Sequence, residues 1–285
     1  MIKDSLGDRM KGYYEEVTKT KLTRRMPVII RLDGCHFHTF TKGMKKPFDA
    51  ILIKTMQDTM KYLCENIQGC VLGYTQSDEI SLLLIDYDKL NTSAWFDNEV
   101  LKMASVSASL ATLAFNKFYA ENIAEMAVLD GDFKFYAKKL NQAYFDSRVF
   151  NIPESEVTNY FYWRQKDAER NSVNSLAQSV FSHKSLQGLS VKDVLTKLEQ
   201  EKGIIWGEYP TTHKRGCCCV KTPYIADKAV KLIGSDLESD TYEDIDGNTY
   251  TESAFEHLNI TYKWTIDDNI PRFKDEGRKY IEYKI

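Results

Sequence analysis

The run Leu72–Ile85, LGYTQSDEISLLLI, constrains the fold more than any other stretch of the chain. Strand-forming residues flank its centre, so it reads as a hairpin set into a sheet. Thr75, Gln76, Ser77, Asp78 and Glu79 form the tip. Acidic side chains stay out of a sheet core unless they are paired or liganded. The tip is therefore either a solvated turn or half of a carboxylate site whose other half lies elsewhere. It lacks an Asn-Gly pair, so composition leaves the turn geometry open.

The neighbouring segments supply a context. PVIIRLDG (Pro27–Gly34) is a short apolar strand with a polar exit, and Gly43 and Pro47 mark irregular backbone after it. Residues 48–66 have helical periodicity, with Ile51, Thr55, Thr59 and Leu63 at four-residue spacing. A second helix is predicted over 99–120, capped by Asp97 or Asn98. SRVFNIP (Ser147–Pro153) reads as another strand. The order βαββαβ predicts an α/β (α+β) fold of the ferredoxin-like kind, with two helices on one sheet face. The first and third strands are neighbours in such units, which would carry Asp33 to Asp78. Residues beyond Pro153 must cover the other face. They include a long helix over 155–181, with an apolar stripe at Ala168, Ser172, Leu176 and Val180. Ser190 is expected to cap a shorter helix ending at Gly203. The acidic segment Gly234–Asn248 reads as a loop or irregular hairpin; it lacks the terminal Glu of a calcium loop.

Several function classes find no support. A net charge of -3 over 285 residues is no signature of bulk nucleic-acid coating, although a local basic patch is compatible with it. No secretory leader or bilayer-length apolar run is visible. Cys217–Cys219 are consecutive, and on a strand they would alternate between faces and could not converge on one metal. With no spaced Cys-x-x-Cys pair, a reduced, cytoplasmic setting is expected. His36 and His38 in CHFHTF would share a strand face with Cys35 turned away, a poor zinc site. Neither a G-x-S-x-G elbow nor a P-loop occurs.

Two carboxylates held close repel each other unless one is protonated or a cation intervenes. Asp33 and Asp78 therefore suggest Mg²⁺, which favours carboxylate, carbonyl and water oxygens, and Gly34 would leave its carbonyl accessible. Paired ions clamp the nucleophile and leaving phosphate of an in-line transfer. Lys42, Lys45 and Lys46 lie close to the first strand's exit and suit a triphosphate. His213, Lys214 and Arg215 before one probable strand, and Arg164, Lys166 and Arg170 on the long helix, could follow a nucleic-acid backbone.

IIRLDGCHFHTFTKGMKKPFD, GYTQSDEISLLL, FDSRVFNIP and YFYWRQKDAERNSVN, in that order, resemble hallmark blocks of the tRNA-His guanylyltransferase superfamily. LGDRMKGYYE resembles its opening segment, and WTIDDNIPRF a tail of many prokaryotic, Thg1-like members. The resemblance implies a polymerase-like palm over 1–153, with 154–285 as helical and further elements completing the catalytic unit. It implies a 3′–5′ nucleotidyltransferase that adds GMP from GTP to the 5′ end of tRNA, with ATP as activating substrate and two Mg²⁺ ions. Asp33, Asp78 and the Gly34 carbonyl would hold metal, with Glu79 an acidic neighbour. Arg31, Cys35, His36, Phe37, His38 and Ser77 fall at nucleotide-binding positions, and Lys46 at one that handles the activating ATP. Arg164, Asn171, Asn174, Lys214 and Arg215 would contact RNA or triphosphate. A homotetramer is implied, with tRNA-His or a 5′-truncated tRNA as partner. Glu169 departs from the eukaryotic pattern, which has histidine there, and so points to templated repair. A carboxylate at that position would be expected to repel a nearby phosphate. Two other readings remain: a class III-like nucleotidyl cyclase, which shares a related palm, and a catalytically silent tRNA-binding protein.

Overall fold

The computed structural model describes residues 5–127, 133–225, 228–235, 240–244, 246–251 and 260–285. β1 (Val28–Gly34) leads through a short helical turn, Phe37–Phe40, and an irregular segment into α1 (Ala50–Asn66). β2 (Cys70–Gln76) and β3 (Glu79–Leu84) form the hairpin, and α2 (Val100–Asn122) returns the chain to β4 (Phe145–Asn151). These strands lie in the order β4-β1-β3-β2, all antiparallel. This is the predicted ferredoxin-like arrangement. α3 (Glu154–Val180) and α4 (Val191–Lys202) precede β5 (Cys217–Ile225), which extends the sheet beyond β2. β6 (Lys228–Ser235), β7 (Asp240–Asp244) and β8 (Thr249–Thr251) pair successively, and β9 (Ile260–Asp267) pairs along β5. The acidic segment is therefore strand-bearing in its described parts; residues 236–239 and 245 lie outside the described residues.

Alternation along β1 divides the core. Ile30 and Leu32 join Met56, Met60 and Leu63 of α1 and Ala111, Phe115 and Tyr119 of α2. Ile29 faces the other way and joins Leu83, Tyr74 and α3 residues Val157, Tyr160 and Phe161. Cys217 and Cys219 belong to the first layer and Cys218 to the second, as strand alternation requires. Ile270, Phe273 and Ile281 complete the second layer. Gln165 of α3 binds that returning segment from both sides: its amide donates to the Pro271 carbonyl at 2.8 Å, and its carbonyl accepts from the Phe273 N–H at 2.9 Å.

Local signals behave unevenly. Ser190 caps α4 in a reciprocal box with Asp193, and Gly203 ends the helix in the left-handed region at φ 65°. α2 starts differently from expectation. Glu99 is its N-cap without a side-chain bond, while Asp97 pairs with Lys21. The expected strand alternation of His36 and His38 gives way to a helical turn: His36 has φ 56° and His38 lies within Phe37–Phe40. Phe37 and Phe40 drive this turn by burying their rings against Phe115.

Candidate active site

The β1–β3 register brings the separate sequence blocks together. Asp33 stands opposite Glu79, and the Gly34 N–H donates to the Asp78 carbonyl at 3.0 Å. Ser77 makes the sharp turn with φ 51°. Arg31 Nε lies 3.2 Å and Arg148 Nη1 3.7 Å from Asp33 Oδ2. Burial pushes the Asp78 carboxyl above its ordinary range; its own backbone and the Ser77 hydroxyl oppose this, and the Asp33 charge adds to it. Burial thus disfavours an ionised Asp78 unless a cation accompanies it, while Arg31 and Arg148 already stand beside Asp33. Among the described residues, no group of three or more His, Cys, Asp or Glu side chains could hold a metal. Mg²⁺ fits the smaller set, since it takes one or two carboxylates and completes its shell with water and substrate phosphate.

Glu79 has a different environment. Its two oxygens accept from Arg164 Nε at 2.7 Å and Nη2 at 2.6 Å. Side-chain exposure is only 6% for Glu79 and 8% for Arg164, so this pair is internal. Burial raises the Glu79 pKa, and Arg164 pulls it back without cancelling the shift. The arrangement follows from matched periods. Two residues of strand rise about 6.8 Å and four residues of helix about 6 Å. Ser81 meets the Tyr160 hydroxyl at 2.8 Å, and the next step along both elements joins Glu79 to Arg164. Arg164, expected on RNA or triphosphate, is thus turned inward as a brace behind the hairpin tip.

Ser77, Asn171 and Lys214 share a cleft of about 140 Å³ with Phe48 and His213. The Phe48 and His213 rings stack with centroids 4.6 Å apart, and burial lowers the His213 pKa. Gly216, at φ 80°, lets this corner approach β2: an added Cβ would meet the Thr75 carbonyl oxygen at 2.3 Å. Lys46 is exposed beside the cleft-lining Pro47, and Asp49 orders the intervening loop by accepting from Lys45 N and Leu52 N. Asn174 is exposed on α3 and does not line this cleft. His38 and His36 are exposed, with ring centroids 6.3 Å apart, whereas Phe37 is a core residue.

Two features escaped the sequence reading. Asp146 of β4 stands directly across from Asp33, and Cys35 Sγ lies 3.6 Å from its Oδ2. The FDSRVF strand was visible, but its register was not. Glu169 is also better compensated than expected. Arg272 binds it at 2.9 and 3.2 Å, and Arg215 Nε lies 3.7 Å away. The expectation that Glu169 presents a bare charge to phosphate is corrected: two arginines neutralise it.

Gly34 has a steric role beyond backbone access. A Cβ there would come within 2.3 Å of the buried Phe37 ring. Gly34→Ala is expected to lower stability by about 1–3 kcal/mol through overpacking. It should also disturb the strand exit; urea unfolding checks the first effect, and nucleotidyl-transfer assays the second.

The family model for tRNAHis guanylyltransferase (Thg1) matches residues 7–153. A solved bacterial tRNA(His) guanylyltransferase (Thg1)-like protein in complex with ATP is 42% identical, with 99% of both chains covered and a TM-score of 0.76. A bacterial Thg1-like structure in complex with GTP is 38% identical, covers 98% of both chains and has a TM-score of 0.70. Uncharacterized protein R259 of Acanthamoeba polyphaga mimivirus is 27% identical over 230 residues, spanning 76% of this chain and 77% of that protein.

Proposed function

Since the chain belongs to the tRNA-His guanylyltransferase family, we propose that it adds nucleotides in the 3′–5′ direction to the 5′ end of tRNA. The observation that carries this reading is the β1–β3 register, which sets Asp33 and Gly34 against the Asp78 tip. The ATP and GTP complexes of its bacterial relatives support the choice of substrates. Residues 1–153 form the catalytic core of this reading, and 154–285 complete it.

Asp33, Asp78 and the Gly34 carbonyl would hold two Mg²⁺ ions, which supply charge neutralisation at the transferring phosphate when bound. Ser77 and Lys214 orient nucleotide phosphates from the cleft, and Arg31 and Arg148 add positive charge beside Asp33. ATP first activates a 5′-monophosphate: its oxygen attacks the α-phosphorus of ATP and pyrophosphate leaves. The 3′-hydroxyl of GTP then attacks the activated 5′ phosphorus, releasing AMP and a proton. Templated repair of 5′-truncated tRNA is the preferred use, with Watson–Crick pairing supplying the choice of nucleotide. A cytoplasmic setting fits the free thiols of all six cysteines. The homotetramer implied by the family resemblance is part of the same proposal.

Labelled GTP, magnesium and a panel of intact and 5′-truncated tRNAs test the function. Label should enter RNA and follow the template base. Cyclic nucleotide formed from GTP without RNA would instead identify a cyclase, and RNA binding with no incorporation a silent module. Lys46→Ala is expected to impair reaction on 5′-monophosphate RNA more than on 5′-triphosphate RNA, which needs no activation. Comparing kcat/KM on the two RNAs checks this; equal large losses would assign Lys46 to another step.

A further inference from the structure

A second cavity, about 480 Å³, lies between α3, α4 and the returning segment, outside the cleft just described. Trp163, Trp206 and Leu195 stand on its wall, with Lys166, Arg170 and Arg272 around it. Trp163 is 52% exposed, which is unusual for so large an apolar ring. Trp206 is fixed by its indole N–H, which donates to Ser172 Oγ at 3.0 Å. The two carboxylates on the wall are already compensated: Asp167 by Arg164 and Arg170, and Glu169 by Arg272 and Arg215. Arg170 and Arg272 nevertheless remain 61% and 56% exposed. Aromatic rings interleaved with exposed cations are the surface that binds unpaired nucleotides, rings stacking bases and cations meeting phosphates.

Its position identifies which nucleotides. The Trp163 ring centroid lies 4.4 Å from the Arg164 guanidinium carbon, and that guanidinium holds Glu79 beside Asp33. One ion pair and one guanidinium–ring contact therefore connect Glu79, which stands beside the proposed metal carboxylate Asp33, to the cavity. An RNA whose 5′ end reaches Asp33 and Asp78 brings the end of its opposite strand alongside. In tRNA that strand continues as a short unpaired 3′ extension. We propose that the Trp163–Trp206 cavity binds this unpaired 3′ segment. The assignment rests on the proposed tRNA function and adds a subsite to it.

The test uses a synthetic tRNA acceptor hairpin with its single-stranded 3′ tail and the same hairpin trimmed flush. Affinities are measured by fluorescence anisotropy at one salt concentration, without nucleotide. The wild-type protein should bind the tailed RNA on the order of tenfold more tightly, the scale of one or more stacked bases. In Trp206→Leu, and separately in Lys166→Glu/Arg170→Glu, the ratio of the two affinities should fall towards one. Equal wild-type affinity for both RNAs overturns the proposal, as does an unchanged ratio in both folded variants. The wild-type comparison decides even if Trp206→Leu fails to fold. Tail-dependent binding without nucleotide incorporation would defeat the enzymatic reading and leave the cavity assignment standing. Incorporation without tail dependence would do the reverse.

Discussion

Asp78→Asn is expected to reduce nucleotidyl transfer by on the order of 10³-fold or more, while the protein keeps its cooperative unfolding transition. The substitution preserves shape and removes the charge that would help hold Mg²⁺ at the hairpin tip. The neighbouring backbone bond, Gly34 N–H to the Asp78 carbonyl, does not involve the side chain and should survive. Asp33→Asn should have a comparable effect, because the proposed ions need a carboxylate from the end of β1 as well as from the hairpin tip. Single-turnover incorporation into a 5′-triphosphorylated RNA reads the chemical step without the activation step. Near-normal transfer by folded Asp78→Asn would rule out the metal assignment.

Arg164→Met is expected to lower stability by about 3–5 kcal/mol at neutral pH, because it strands the buried Glu79 carboxylate. The pH dependence has a definite sign. Without Arg164, burial still raises the folded-state pKa of Glu79 above its unfolded value. The deficit should therefore be largest above the raised folded value and shrink as pH falls through it, when protonation removes the unpaired charge. Urea titrations of variant and wild type across that range check the slope. A double substitution, Glu79→Met with Arg164→Met, should recover most of the lost stability. It also separates two roles for Glu79. Recovered stability together with recovered transfer would make the pair a brace for the tip. Recovered stability without transfer would give Glu79 a direct part in catalysis.

The site was legible in the sequence where local period and topology sufficed. Strand-forming composition marked β1, β2 and β3, alternation placed Cys218 opposite Cys217 and Cys219, and the βαββ order made the first and third strands neighbours. Asp33 and Asp78 could be paired from that alone. The brace could not, because Glu79 and Arg164 are 85 positions apart and meet only through helix and strand rises in matched register. Glu169 was misjudged for the same reason, since Arg272 lies 103 positions away. At His36 and His38 the expected alternation gives way to a helical turn in which Phe37 and Phe40 both pack on Phe115. Asp146 was hidden by register, which a one-residue slip would change completely.

The Gln165 clamp has a consequence for the birth of the protein on the ribosome. Gln165 and Phe273 are separated by 108 positions. At about 5–20 residues per second, the helix emerges roughly 5–20 s before the residues it grips. During that interval the central strands and α3 can pack, yet Tyr74 lacks the edge contact that the Phe273 ring later makes with it, and the layer lacks Ile270 and Ile281. The nascent chain thus carries its carboxylate tip on a sheet with one unfinished face, prone to association with other unfinished chains. Mature activity waits on the late arrival of a short segment that contributes no carboxylate to the proposed metal site.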